Sequence, residues 1–200
     1  MTISRLFASV AVALATTAAS AQDASPRLLD STKSPGELSD VQPAHGAAFR
    51  IKSTDHTGFT VSSLEDSLAF WVGVLGFKLL YTQTFENGPF IEEVVGVPGA
   101  ALRLAMVEGP GHMIELLEYT SPNDRRTYMP RSSDVGSVHL AFYVENIDAL
   151  VARTTSVGWP PVGKIQTVES GERKGLRLIY VRGPNGVTLE FLQRPDNAAN

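Results

Sequence analysis

The sequence predicts an α+β domain in which one supersecondary unit is used twice. Each copy runs strand, helix, strand, strand, strand; the eight strands form one curved mixed sheet, and both helices lie on its convex face. Three observations predict this. Two stretches repeat each other at a nearly constant offset, and within each the apolar residues switch between a period near 3.6 and a period of 2. The composition, 43% apolar and 19% charged in 200 residues, is that of a globular chain long enough for a sizeable core.

The first copy begins DHTGFTV at Asp55 and closes on MIELLEY at Met113; the second begins SVHLAFYV at Ser137 and closes on VTLEFLQ at Val187. His56 and His139 are 83 residues apart, as are Ser63 and Asn146, while Gly76 and Gly158 are 82 apart. Glu115 and Glu190 differ by 75, so the second copy is about eight residues shorter between its helix and its last strand. The copies occupy about 51–120 and 136–193 of a domain spanning 49–194.

Leu64, Leu68, Trp71, Val72 and Leu75 form one apolar stripe on a helix, and Ile147, Leu150, Val151, Thr154 and Val157 repeat it. Ser62 with Glu65 has the spacing of a capping box, and Gly76 and Gly158 suit the positions just past the helix ends. Strands are expected at about 51–61, 77–84, 101–108, 112–119, 137–144, 161–168, 175–182 and 186–192, with Pro184-Asn185-Gly186 as a tight turn.

Strand parity then separates two faces. Phe59 and Val61, Ile114 and Leu116, Leu140 and Phe142, and Leu189 and Phe191 make an apolar face that belongs under the helices. The opposite face carries His56, Glu115, His139 and Glu190. A carboxylate flanked by Ile114, Leu116 and Leu117 is costly to desolvate unless it meets a cation or a donor. Two imidazoles and two carboxylates at repeat-equivalent positions suit a divalent ion.

Other classes are excluded on composition. A formal charge of -4 and the absence of a basic surplus argue against nucleic-acid binding. With no cysteine, thiolate metal sites, disulfides and cysteine nucleophiles are ruled out. The first 21 residues read as a signal peptide: Arg5, an apolar run from Leu6 to Ala15, and Ala19-Ser20-Ala21 as the cleavage site. That run is shorter than the roughly 20 residues needed to span a bilayer. Export, to a periplasm in a bacterium, without membrane insertion after cleavage is therefore expected. The mature chain keeps 16 basic and 21 acidic residues, a charge of -5. Residues 22–48 read as a loosely ordered leader and 195–200 as a tail.

The segments DHTGFTVSSLEDSLAFWVGVLGFKLLY from Asp55, GHMIELLEY from Gly111, GSVHLAFYVENIDALVA from Gly136 and RGPNGVTLEF from Arg182 resemble the vicinal oxygen chelate superfamily. That superfamily includes glyoxalase I, methylmalonyl-CoA epimerase, extradiol dioxygenases, and the fosfomycin and bleomycin resistance proteins. The likeness covers about Ile51 to Gln193. It implies tandem βαβββ modules and one divalent ion, Zn, Ni, Co, Mn or Fe, held by His56, Glu115, His139 and Glu190. It also implies a small substrate that chelates the ion through two neighbouring oxygens.

The expected chemistry is glyoxalase I-like lyase, isomerase or epimerase action through a metal-stabilised enediolate on a small carbonyl compound, with Glu115 and Glu190 as the proton-transferring groups. Two alternatives stay open on the same fold. One is an extradiol catechol dioxygenase using Fe(II) on two His and one Glu, against which the fourth donor Glu115 counts. The other is a metal-free ligand-sequestering protein of the bleomycin-resistance type. Arg103, Arg126, Arg131, Arg173 and Lys174 are candidates to meet an anionic substrate, and Met129 and Tyr143 to line the pocket. His45 lies in the leader and His112 has the wrong parity to join Glu115. The loop from Thr120 to Val135 leaves two arrangements open, modules paired within one chain or exchanged in a homodimer.

Overall fold

The structure is a computed structural model that describes residues 48–195. The signal peptide, His45, the leader apart from Ala48, and residues 196–200 lie outside the described residues.

The first module contains β1 (His56–Thr60), α1 (Leu64–Trp71), β2 (Lys78–Phe85), α2 (Pro89–Val95), β3 (Ala101–Gly109) and β4 (His112–Ser121). The second contains β5 (Leu140–Tyr143), α3 (Ile147–Ser156), β6 (Gln166–Thr167), β7 (Arg177–Arg182) and β8 (Thr188–Gln193). Each module folds into its own four-stranded sheet, ordered β1-β4-β3-β2 and β5-β8-β7-β6. In both, the first strand runs parallel to the last and the remaining pairs are antiparallel. The repeat read in the sequence is thus a repeat of topology. The strands come in the expected order, but the single curved sheet is two: β1 and β5 are both sheet edges, with no ladder between them.

The extra residues of the first module form α2, a seven-residue helix that opens with Pro89 and ends at Gly96 in the left-handed region, φ 66°. Its Ile91 packs with Leu102, Leu104, Leu117 and Tyr119 in a small second core. The eight-residue difference between the copies therefore sits between β2 and β3.

α1 and α3 are each capped by a side chain. Ser63 accepts from the Asp66 amide at 3.1 Å and Asn146 from the Ala149 amide at 3.2 Å. From the last strand of each module, Glu118 accepts from the Leu64 amide at 3.0 Å and Gln193 from the Ile147 amide at 2.8 Å. Each side-chain cap satisfies a helix-end donor that has no intrahelical partner and contributes about 1 kcal/mol. The cap of α1 is Ser63, not Ser62; the Ser62 amide and hydroxyl instead donate to Asn185 Oδ1, at 3.1 and 2.7 Å, across the modules.

The chain leaves each helix through a glycine in the left-handed region, Gly76 at φ 76° and Gly158 at φ 86°. An aromatic follows each. Phe77 covers Gly109, where an added Cβ would overlap the ring, and Trp159 covers Gly183, whose Cβ would fall 2.5 Å from the indole. These two glycines, one at the end of β3 and one just past β7, let an aromatic lie flat on backbone.

The expected apolar face is buried: Ile114, Leu116 and Leu189 are fully inaccessible and Phe191 nearly so. The helix stripe is rotated from its sequence reading. Ser67 and Phe70 are inside with Leu64 and Trp71, whereas Val72 and Val157 are exposed. Phe70 is drawn inward by Trp159 of the other module, the two rings stacked with centroids 3.8 Å apart. Trp71 and Phe77 both meet Phe142 edge-on, at 6.4 and 5.8 Å. The two modules therefore share one aromatic-rich core and meet back to back through their helix-bearing sides.

Candidate metal centre

Back-to-back packing decides where the chemical groups point. In the parallel β1–β4 pair Gly58 lies opposite Glu115, and in β5–β8 Ala141 lies opposite Glu190. Residues at matching levels of a ladder share a face, so His56 joins Glu115 and His139 joins Glu190 on the side away from the shared core. His56 Nε2 is 3.2 Å from Glu115 Oε2, and His139 Nε2 is 3.3 Å from Glu190 Oε2. The small residues Gly58 and Ala141 keep space open between each pair; a Cβ on Gly58 would already lie 3.5 Å from the Glu115 carboxylate.

All four sequence-predicted residues thus occupy the expected faces, and each histidine meets the glutamate of its own module. The two pairs do not converge within the chain. Among the described residues, no three His, Asp or Glu side chains gather in a geometry able to hold a metal ion. The physical reason is the core: Ile114, Leu116, Leu189 and Phe191 face it, so the alternate positions that carry the pairs face away from it.

The donor chemistry of each pair nevertheless fits a divalent ion. Two ligands about 2.1 Å from one ion at octahedral or tetrahedral angles are about 3.0 to 3.4 Å apart, and both N···O spacings fall in that range. The carboxylates are largely but not wholly buried, with 19% and 14% of their side chains exposed. A cation or donor therefore offsets a real desolvation cost at each.

The surroundings of the two pairs differ. Asp55 Oδ2 lies 2.7 Å from His56 Nδ1 and so orients the ring with Nε2 on the Glu115 side. In the second module Val138 stands where Asp55 would be. There the Tyr180 hydroxyl is 3.3 Å from His139 Nε2, with the two rings 4.7 Å apart. Tyr180 lies opposite Glu190 in the β7–β8 ladder; Met106 holds the corresponding place opposite Glu115. Burial, and then the Glu190 charge, hold the Tyr180 phenol protonated beyond its usual range. Tyr119, two residues beyond Leu117 on the Glu115 face, is raised in the same way by burial and by Glu115. Tyr180 is absent from the sequence reading. The parity rule that placed Glu190 finds it once β7 is set opposite β8.

The other candidates are placed as follows. Arg103 is held by Glu65 at 2.8 Å and Glu118 at 2.6 Å, and the repeat-equivalent Arg177 is held by Asp148 at 2.7 Å. Arg103 thus ties α1 to its sheet and does not await a substrate. Arg131 is paired with Asp134 at 2.6 Å. Tyr143 lies under the Arg194 guanidinium, 4.2 Å from the ring centroid, and the neighbouring Arg194 and then Arg173 lower its phenol's proton affinity. Arg173 and Lys174 border a separate surface hollow beside Tyr143. Met129 is exposed against the Gly186 turn. His112 bonds Thr57 Oγ1 at 2.8 Å, a contact within the sheet, in keeping with its parity.

Residues 53–191 match the family model described as Glyoxalase/Bleomycin resistance protein/Dioxygenase superfamily. A 2-epi-5-epi-valiolone epimerase from Actinomyces sp is 33% identical over 147 residues, covering 72% of this chain and 80% of that protein. A lactoylglutathione lyase from Neisseria meningitidis is 28% identical, covering 70% of this chain and 88% of that one. Among solved structures, a glyoxalase family protein from Bacillus cereus superposes with a TM-score of 0.63 at 28% identity, over 74% of this chain and 97% of that one. With the family's match running through both modules, and the strand order of one repeated in the other, this chain belongs to the Glyoxalase/Bleomycin resistance protein/Dioxygenase superfamily.

Proposed function

We propose that the protein is a divalent-metal-dependent enzyme that moves a proton on a carbon next to a carbonyl, an epimerase or a glyoxalase I-like isomerase or lyase acting on a small molecule. The observation that carries this reading is the duplicated His–Glu contact, 3.2 and 3.3 Å, at repeat-equivalent places. The 33% identity to an epimerase favours epimerisation within that class.

The residues that would hold the ion are His56, Glu115, His139 and Glu190, a donor set that suits Zn, Ni, Co, Mn or Fe. Once bound, a divalent ion supplies electrostatic stabilisation to negative charge developing on two neighbouring substrate oxygens. Glu115 and Glu190 are the proton carriers: one, as the carboxylate, takes the proton from the C–H, and the other, protonated from solvent, returns one to the opposite face. His56, steadied at Nδ1 by Asp55, keeps Nε2 directed at the site. The neutral Tyr180 hydroxyl, beside His139, offers a hydrogen bond to an oxygen that gains charge.

A four-donor centre needs both kinds of module, and within one chain their faces are turned apart. The centre therefore forms between the first module of one copy and the second module of another. β1 and β5, each with one side unpaired, are the edges that meet, and two-fold symmetry then creates two centres per dimer. The signal-peptide pattern of residues 1–21 supports export as part of this reading.

Solvent exchange tests the chemistry. In D2O the metal-loaded protein should incorporate deuterium at the carbon beside the carbonyl of a 2-hydroxy or 2-methyl carbonyl substrate. Oxygen consumption with catechols and no deuterium incorporation would overturn the reading in favour of a dioxygenase.

A further inference from the structure

Beyond the far end of β1 lies a cavity of about 300 Å³, at the small end of the range for ligand sites. It is bordered by Thr60 and Ser62, by Asn123, Arg125 and Arg126 of the chain between the modules, and by Asn185 of the Pro184-Asn185-Gly186 turn. None of the four histidine and glutamate residues of the candidate metal centre borders it.

The two arginines here are not neutralised as the chain's ion-paired arginines are. Arg103, Arg131 and Arg177 each meet a carboxylate within 2.8 Å. Among the described residues no carboxylate lies within 4.0 Å of Arg125 or Arg126, and Arg125 donates only a long 3.4 Å hydrogen bond to the Val61 carbonyl. Two positive charges on one concavity with no carboxylate to neutralise them favour an anion there, and each side chain carries a planar fork of donors suited to it. Part of the lining is fixed: Asn185 accepts two hydrogen bonds from Ser62, at 3.1 and 2.7 Å.

We propose that this cavity is an anion-binding site, taking the phosphate or carboxylate group of a small ligand between Arg125 and Arg126. The Thr60 hydroxyl and the Asn123 side-chain amide complete the polar wall. The site does not depend on the metal reading, so its test is made without metal.

Chelator-treated full-length protein should bind inorganic phosphate or malonate saturably by isothermal titration calorimetry at constant ionic strength. The Arg125→Gln/Arg126→Gln double variant should weaken that binding about tenfold or more, the loss expected on removing charge-assisted hydrogen bonds. Both arginines are exposed, so the variant should keep its circular dichroism spectrum; Arg153→Gln, exposed on α3, should bind as the parent does. Tighter phosphate assigns a phosphorylated ligand and tighter malonate a carboxylate, and either upholds the site. Absence of saturable binding of both anions, or unchanged affinity in the double variant, overturns it.

Discussion

A His56→Ala/Glu115→Ala variant and a His139→Ala/Glu190→Ala variant, each inactive alone, should regain about one quarter of the parent's metal centres and activity when co-expressed or refolded together. The fraction follows from symmetry. Each homodimer carries a damaged module in both of its centres. A mixed dimer pairs the two damaged modules in one centre and the two intact modules in the other. Random pairing makes half the dimers mixed, and half the centres in those are intact. If all four donors came from a single chain, mixing would restore nothing, because each chain lacks two of them. The structure supplies the reason for expecting recovery: Phe70 stacks on Trp159 across the modules, and this shared core turns the two His–Glu pairs outward. Metal content of the mixture, with deuterium exchange as the second readout, measures the result.

Glu115→Gln and Glu190→Gln should each lower the rate of deuterium exchange by about 10²- to 10⁴-fold, the range attributed to a positioned acid or base. The amide keeps the side chain's shape and an oxygen acceptor but cannot take the proton. Fold stability should change far less than activity, since both side chains keep contact with solvent. The two substitutions need not act alike. Glu190 lies opposite Tyr180 on the neighbouring strand, whereas Glu115 lies opposite Met106. With an epimerisable substrate, an inequality between the variants that reverses with the starting epimer identifies which carboxylate serves which face. Rates that stay within about threefold of the parent in both variants would remove the glutamates from the proton path.

Most of the architecture is legible because it is written in short-range patterns. Alternation along MIELLEY and VTLEFLQ assigns the faces of β4 and β8, and the near-83-residue offset reveals the duplication. The same alternation brings each histidine and glutamate to one face, where the structure pairs them. What local pattern does not carry is how distant surfaces meet. Phe70 lies off the stripe drawn through Leu64, Leu68 and Trp71, and only the arrival of Trp159 explains its burial. The division into two sheets has the same origin, because β1 and β5 have similar edges whether or not they pair. The helix Pro89–Val95 escapes a periodicity reading because seven residues make only two turns, announced chiefly by Pro89 at its start. The Ser63 cap is one residue from the Ser62–Glu65 box, and the difference is set by Asn185, 123 residues from Ser62 in sequence.

The repeat also shows what selection of a second copy preserves physically. Glu118 and Gln193 cap their helices from equivalent places, and Arg103–Glu65 and Arg177–Asp148 tie helix to sheet in both modules. Such pairs, exposed and salt-screened, contribute little singly; their symmetry fixes how each helix sits on its strands. Around the two His–Glu contacts the symmetry breaks, with Asp55 and Met106 in one half against Val138 and Tyr180 in the other. The unequal halves suit a reaction that treats two faces of a substrate differently.

Elemental analysis of the purified protein is the most direct test of the metal centre. A four-donor site shared between copies gives one divalent ion per chain, retained through gel filtration and lost from both His56→Ala and His139→Ala. Protein that takes up no Zn, Ni, Co, Mn or Fe at saturating concentrations, or variants that hold as much metal as the parent, would contradict it.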